Sequence, residues 1–470
     1  MPGRPARTVL RGDRRRNAAV LPDSAAGLVP VMELAEQTGL SALIGECVTV
    51  DSARVASGAV NPAGKLTALV GAMLCGGDHI DHADLLRAGG TATVFDEVYA
   101  PSTLGIFLRE FSFGHAQQVA ALARRHLIAL AARTPLLPGA GDRVYVDIDS
   151  VLRPVYGHAK QGASFGHSKI AGKVVLRRGL SPLLTTLSTD TAAPVIAEMR
   201  LRSGRAGSGR GAASQVASAI GTARDIGAGK ILLRGDSAFG SKKIMRTALA
   251  HDAEFSLAIT RNKAVDRAIA AIPDDAWTGV EYPGAVCDPD TGEWISDAEV
   301  AEITHTIGTG RSGITVRLIV RRVRDANYRD GLFPVWRYHP FATNSELSTT
   351  EADLVHRRHA IIETVISDLI DGPLAHLPSG HFPANTVWAI CAQIAHNLLR
   401  AAGTLTGSPR HTVARGATLR RDLVCVPARF ARPARRPVLH LPDHWPWEQS
   451  WKTLWHSIFD TNSHTAAATT

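Results

Sequence analysis

A chain of 470 residues exceeds one ordinary domain, and its 45% apolar content supplies a packed core and excludes wholesale disorder. The net charge is +9 with a pI of 9.6, mostly from arginine, which favours a polyanionic partner because guanidinium groups pair bidentately with phosphate. Five cysteines with no CxxC exclude a disulfide frame and a cysteine zinc site, and no apolar run is long enough for a membrane span.

Taken in chain order, residues 1–27 read as a basic flexible tail, with six Arg against one Asp in the first 16 positions. No apolar stretch follows to make a signal peptide, so a cytoplasmic, nucleoid-associated protein is expected. Residues 28–140 read as a helical N-terminal domain. In GHAQQVAALARRHLIALAAR, Val119, Ala123, Leu127 and Leu130 recur at helical spacing, and Arg133 followed by Thr134-Pro135 ends the helix. Ser102 is expected to cap a short helix in PSTLGIFLREF.

The period changes at 141. In RVYVDIDS, Val144, Val146 and Ile148 alternate with Tyr145, Asp147 and Asp149, as in a strand. SPLLTTLST, KILLR and EFSLAIT are further strand candidates. Helices are expected over about 212–226, 241–251 and 263–272. Strands followed by alternating strand and helix indicate an α/β fold with a mixed sheet flanked by helices, its first part spanning 141–272. Residues 273–345 read as an antiparallel β insertion, with short alternating runs such as GITVRLIVRRV. A second part of the core, 346–405, opens with a long helix capped by Ser348 and Glu351 and stopped by Gly372-Pro373. The basic C-terminal region 406–470 carries Trp445, Trp447, Trp451 and Trp455, read as packing anchors.

Three acids stand out. Asp149 shares a strand face with Asp147, and two acids beside a buried sheet need a cation or a cationic side chain. Asp236 lies just past the C-terminal end of ILLR, where ligands of α/β sheets gather. Glu363 is placed mid-helix, with Ile362, Ile366 and Leu369 on the core side. Singly, each fits a salt-bridged or capping role. Together, their order and settings fit a cage for two divalent cations that activates water or a 3′-hydroxyl at a phosphodiester.

VDIDS followed by VYGHAKQGASFGHS, then LLRGDSAF, then HRRHAIIE with DLIDGPLAHLPSGHFPAN and AHNLLRA resembles the DDE transposases of bacterial insertion sequences, group 1. The resemblance covers essentially the whole chain. It implies a ribonuclease-H-like core and cut-and-paste recombination: hydrolysis at the element's inverted-repeat ends, then attack of the freed 3′-hydroxyl on target DNA. It also implies Asp149, Asp236 and Glu363 as catalytic, metal-holding acids, with Asp147 the alternative first acid. Two Mg²⁺ ions are expected, with Mn²⁺ as substitute. The partners are double-stranded DNA (terminal inverted repeats and target) and a second copy in a homodimer, with no membrane. Ile370 departs from the pattern where many relatives have a basic residue seven after the glutamate, and His359 stands where an arginine is common four before it. Two other readings stay open: a transposase-derived DNA-binding protein without cleavage, or a structure-selective nuclease of the same fold.

Arg234 and Arg261 flank strand ends near the acids, and each either contacts phosphate or neutralises them; His359 is a third DNA-facing candidate. His356, His359 and Glu363 share a helix but lack HExxH, so a surface or DNA-facing role is preferred over zinc. His79, Asp81, His82 and Asp84 lack a recognised ligand spacing and read as helix-start residues. RSGRAGSGRGAAS lacks GK[ST] and reads as a flexible basic loop touching DNA.

Overall fold

Alternation in RVYVDIDS sets the centre of the fold: Val144, Val146 and Ile148 are buried on one side of strand β1 (Arg143–Ser150), and Tyr145 and Asp147 on the other. In this computed structural model the described residues are 25–50, 56–170, 173–281, 286–287, 289–290, 292, 294–295, 298–325, 335–431 and 438–460. Most of the expected basic tail lies outside them.

Strand β2 (Lys173–Ser188) lies antiparallel beside β1 and β3 (Val195–Ser203) antiparallel beside β2, while β4 (Lys230–Gly235) and β5 (Glu254–Ala258) are parallel to β1 on the other side. The order β3-β2-β1-β4-β5 is that of a ribonuclease-H-like core. β2 is much longer than SPLLTTLST alone, and its first half pairs with 164–170. β3 was not anticipated: VIAEMRLRS is rich in helix formers, and pairing with β2 overrides that preference.

Antiparallel strands β6 (Ala298–Ile307), β7 (Ile314–Arg324) and β8 (Trp336–Thr343) follow. They are not a detached unit, because β8 pairs with β5 (Phe341 opposite Ala258) and prolongs the core sheet.

The N-terminal part is helical: α1 (Leu28–Gln37), α2 (Leu40–Cys47), α3 (Pro62–Leu74), α4 (Pro101–Arg109) and α5 (Phe113–Arg133). Pro101 occupies the first turn of α4 and Ala100 its N-cap, so Ser102 lies inside the helix instead of capping it. α6 (Ala212–Asp225) covers the valine face of β1, presenting Val216, Ala219, Ile220 and Ala223. α7 (Lys242–Ala250) and α8 (Lys263–Ala270) follow β4 and β5. The long helix expected after Ser348 is divided: α9 (Thr349–Arg357), a 3₁₀ turn over Arg358–Ile361, and α10 (Ile362–Ile370). Ser348 and Glu351 do form the capping box.

α11 (Phe382–Leu405) is buried on nearly every side, as an all-round apolar helix must be, and packs against α3, α5 and β3. Its amides satisfy the outer edge of β3: Asn397 Oδ1 accepts from Ile196 N at 2.8 Å, and Gln393 Oε1 from Met199 N at 3.0 Å. α12 (Glu448–Phe459) docks on α1, with Trp451 and Trp455 buried and their rings 5.3 Å apart, which bears out their reading as anchors. Among the described residues no helix is long and apolar enough to cross a membrane.

Burial of histidines makes the fold acid-sensitive. Desolvation lowers His126 to about 4, His396 to about 4 and His356 to about 3. These rings stay neutral in the fold, while the unfolded chain takes up their protons below about 6.5, so stability falls as pH falls from there. Asp353, raised to about 6 by burial, opposes this trend. His126, whose Nε2 lies 3.0 Å from Thr38 Oγ1, isolates the effect. Changing it to Gln removes a slope of about 1.4 kcal/mol per pH unit. Urea unfolding at pH 7 and pH 5 should show a smaller loss in the variant than in wild type; equal losses would contradict it.

Candidate active site and DNA-facing cleft

β1 and β4 run parallel in register, Asp147 beside Arg234 and Ile148 beside Gly235. One step further, Asp149 and Asp236 leave the ends of adjacent strands, whose backbones lie about 5 Å apart. The approach is close at Gly235, where a Cβ would meet Ile148 Cγ2 at 3.1 Å and Leu257 Cδ2 at 3.3 Å. Asp236 is exposed and opens a turn, its Oδ1 accepting from Ala238 N at 2.9 Å, with Phe239 buried beneath. Asp149 is half-buried, and its Oδ1 accepts from Ser150 N at 2.6 Å.

Glu363 is exposed in the first turn of α10, not mid-helix, because the 3₁₀ turn resets the helix just before it. α10 packs against β1, and His359, one turn before Glu363, lies within electrostatic reach of Asp147. The donor atoms of Asp149, Asp236 and Glu363 do not all fall within 4.8 Å of one another; among the described residues that spacing is met by Asp78, His79 and His82. A pair of ions about 4 Å apart takes ligands spread wider than one ion does. Three oxygen donors, partly or fully open to solvent, match a hard divalent cation.

The alternative first acid has a different occupation. Asp147 is fully buried and held bidentately by Arg234, Nε to Oδ1 at 2.7 Å and Nη2 to Oδ2 at 2.8 Å. Burial pushes its carboxyl up, opposed by that guanidinium. Each oxygen already accepts a guanidinium hydrogen bond inside this buried pair, away from the solvent-facing strand ends that carry Asp149 and Asp236. Arg234 is itself 1% exposed, lies 4.1 Å from the Tyr145 ring centroid and donates to Val355 O at 2.9 Å. It neutralises an acid and does not reach DNA phosphate, which corrects that reading.

His356 is likewise removed from the surface. It stacks on Phe341 at 4.1 Å and its Nδ1 lies 2.9 Å from Ser256 Oγ, so that nitrogen is occupied and the residue is only 7% exposed. The loop 204–211 is tied down: Arg202 Nη1 donates to the carbonyls of Gly207, Ser208 and Arg210. Ser208 Oγ lies 3.4 Å from Ser150 Oγ, which sets this loop beside Asp149.

Beginning at Ser237, beside the Asp236 turn, a cleft of 820 Å³ runs between β8 and α9. Four arginines line it, Arg261, Arg321, Arg337 and Arg357, together with the imidazoles of His339, His356 and His359, against one acid, Asp353. Arg321 pairs with Asp353 at 3.4 Å, Arg261 with Asp266 at 2.7 Å and Arg337 with Asp325 at 3.6 Å, and the last two arginines keep about half of their side-chain surface exposed. Burial and the arginines around it lower His339. Arg261 and His359, both singled out from the sequence, line this cleft; Arg337 and Arg357 were missed. The available signal was strand alternation, which puts Arg337 and His339 on one face, with Arg321 directly opposite His339 on β7.

With this geometry in view, the chain matches the transposase DDE domain group 1 family over residues 23–463. The chain belongs to that family. No curated protein matches it. Among solved structures it is similar to the piggyBac transposase synaptic complex with hairpin DNA, at 11% identity and a TM-score of 0.43, with 84% of this chain and 76% of that chain covered.

Proposed function

We propose that this DDE-family transposase cleaves DNA at the inverted-repeat ends of an insertion sequence and joins them to target DNA by cut-and-paste, with Asp149, Asp236 and Glu363 as its catalytic acids. The supporting observation is the family match over nearly the whole chain, combined with Asp149 and Asp236 leaving adjacent parallel strands beneath the helix that carries Glu363. Two Mg²⁺ ions held by these carboxylates would supply Lewis acidity at the scissile phosphate. The chain's own part is positioning. The Asp147–Arg234 pair fixes β1 against β4 and α9, Gly235 lets the strand ends approach, and the 3₁₀ turn aims Glu363. The basic cleft leads duplex phosphates toward Asp236, and a homodimer holds the two ends.

A supercoiled donor carrying the DNA that flanks this gene on both sides tests the reading. Purified protein with Mg²⁺ should release the element and yield joined products with a target plasmid. End binding with no product would favour the non-cleaving alternative, and cutting without joining the nuclease. In the cleft, Arg261→Glu and Arg337→Glu should each weaken binding of end DNA and lower the salt slope of log K by about 1. Unchanged affinity and slope in both would remove the cleft from the DNA path.

A further inference from the structure

A second cluster of ligating side chains lies away from the three acids. Gly76, at φ 94°, turns the chain sharply after α3 and returns Asp78 beside the 3₁₀ turn of Ile80–Arg87. His79 Nδ1 lies 2.5 Å from Asp78 Oδ1, and His82 Nδ1 lies 3.1 Å from the same oxygen. His376, in the segment after α10, brings its Nδ1 to 3.1 Å from Asp78 Oδ2. The ring centroids of His79 and His82 are 3.7 Å apart, and those of His79 and His376 are 6.0 Å apart. Three imidazoles therefore converge on one carboxylate from segments almost 300 residues apart in sequence.

Hydrogen bonding alone leaves this arrangement poorly satisfied. His82 Nδ1 also lies 3.3 Å from the Asp78 amide, which can only donate. A proton on Nδ1 suits Asp78 Oδ1 and opposes the amide; a lone pair there does the reverse. A cation bound to the Nδ1 lone pair and to Oδ1 turns this close nitrogen–oxygen approach into shared ligation and gives up only the long 3.3 Å amide contact. Asp81 and Asp84, the other acids of this stretch, are outside the cluster, and Asp84 pairs with Arg87 at 2.8 Å.

We infer that Asp78, His79 and His82, whose donor atoms all lie within 4.8 Å of one another, hold a transition-metal ion, with Zn²⁺ the ion that best fits two nitrogens, one oxygen and an open position, and that His376, on the other oxygen of Asp78, orients that carboxylate. Imidazole donors discriminate against Mg²⁺, which demands oxygen ligands, so this site and the carboxylate site take different ions. By fixing Asp78, the ion would also hold its contact with His376 and so link the helical N-terminal part to the segment that follows the helix of Glu363. That segment is already held from the core side, where Arg153 Nε and Nη2 donate to the carbonyls of Leu374 and Ala375 at 2.9 and 3.0 Å. The site acts as a tether, and its occupancy should report on folding rather than on chemistry.

The test uses full-length protein with Asp149→Asn, Asp236→Asn and Glu363→Gln, so that the carboxylate site cannot contribute. After chelation, Zn²⁺ is titrated against a chromophoric chelator, and Co²⁺ absorption reports coordination. The expected result is one Zn²⁺ per chain, tetrahedral Co²⁺ bands, and a Zn²⁺-dependent rise in melting temperature. His82→Ala and His376→Ala should each weaken binding about tenfold or more, at least what loss of an outer-shell partner costs. His376→Gln, which keeps a polar group at an exposed position, guards against misfolding. No stoichiometric binding by the parent, or unchanged affinity in either the His82 or the His376 variants, overturns the proposal.

Discussion

Asp236→Ala is expected to lower Mg²⁺-dependent cleavage of end DNA by about 10³-fold or more while leaving the fold intact. The activity loss follows from removing one of three carboxylates that would hold the ions, since the Lewis-acid contribution amounts to several kcal/mol at the transition state. The intact fold follows from exposure: Asp236 lies past the end of β4, and its side chain accepts one turn amide. Glu363→Gln should behave alike, because Glu363 projects from the first turn of α10 into solvent. For both, the urea midpoint should stay within about 0.5 kcal/mol of wild type, as for surface substitutions generally. End-DNA binding should also survive, because the cleft arginines are untouched. A variant that binds ends and cuts at the wild-type rate would remove that residue from the site.

Breaking the Asp147–Arg234 pair should have the opposite profile, with stability lost first. Both side chains are buried and joined by two charge-assisted bonds, so Asp147→Ala or Arg234→Met strands an uncompensated charge. The cost is about 3–5 kcal/mol. The double variant Asp147→Leu/Arg234→Met removes both charges and should recover much of it, less the bond to Val355 O and the stacking on Tyr145. Urea unfolding of the two single variants and the double variant measures the coupling. The same series decides between the two aspartates of β1. A stable Asp147→Ala protein that no longer cleaves would transfer the first catalytic role from Asp149 to Asp147.

Much of this architecture is legible in residue spacing, and the failures are of one kind. The alternation in RVYVDIDS fixed β1 and showed that Asp147 and Asp149 share a face and need a cation. It could not name Arg234, 87 positions away, as the cation that serves only one of them. The helix after Ser348 was visible from its capping box, yet the 3₁₀ turn at Arg358–Ile361 was not, because HRRHAI suits either geometry. That turn moves Glu363 from mid-helix to a helix start. β3 was hidden because Ala, Glu, Met and Arg favour a helix until β2 and the amides of α11 supply edge partners. The basic cleft depends on Arg321 meeting His339 across two strands, and strand pairing is absent from linear spacing. The Asp78 cluster likewise needed His376, which no local motif could supply.

The central claim is that Asp149, Asp236 and Glu363 share a pair of divalent ions. Crystals of the protein bound to end DNA and soaked in Mn²⁺ test it most directly, by anomalous scattering. The account predicts two peaks about 4 Å apart, ligated by the carboxylates of these three residues. Peaks ligated by Asp147, or none within reach of Asp236 and Glu363 while Mn²⁺-dependent cleavage proceeds in solution, would contradict it.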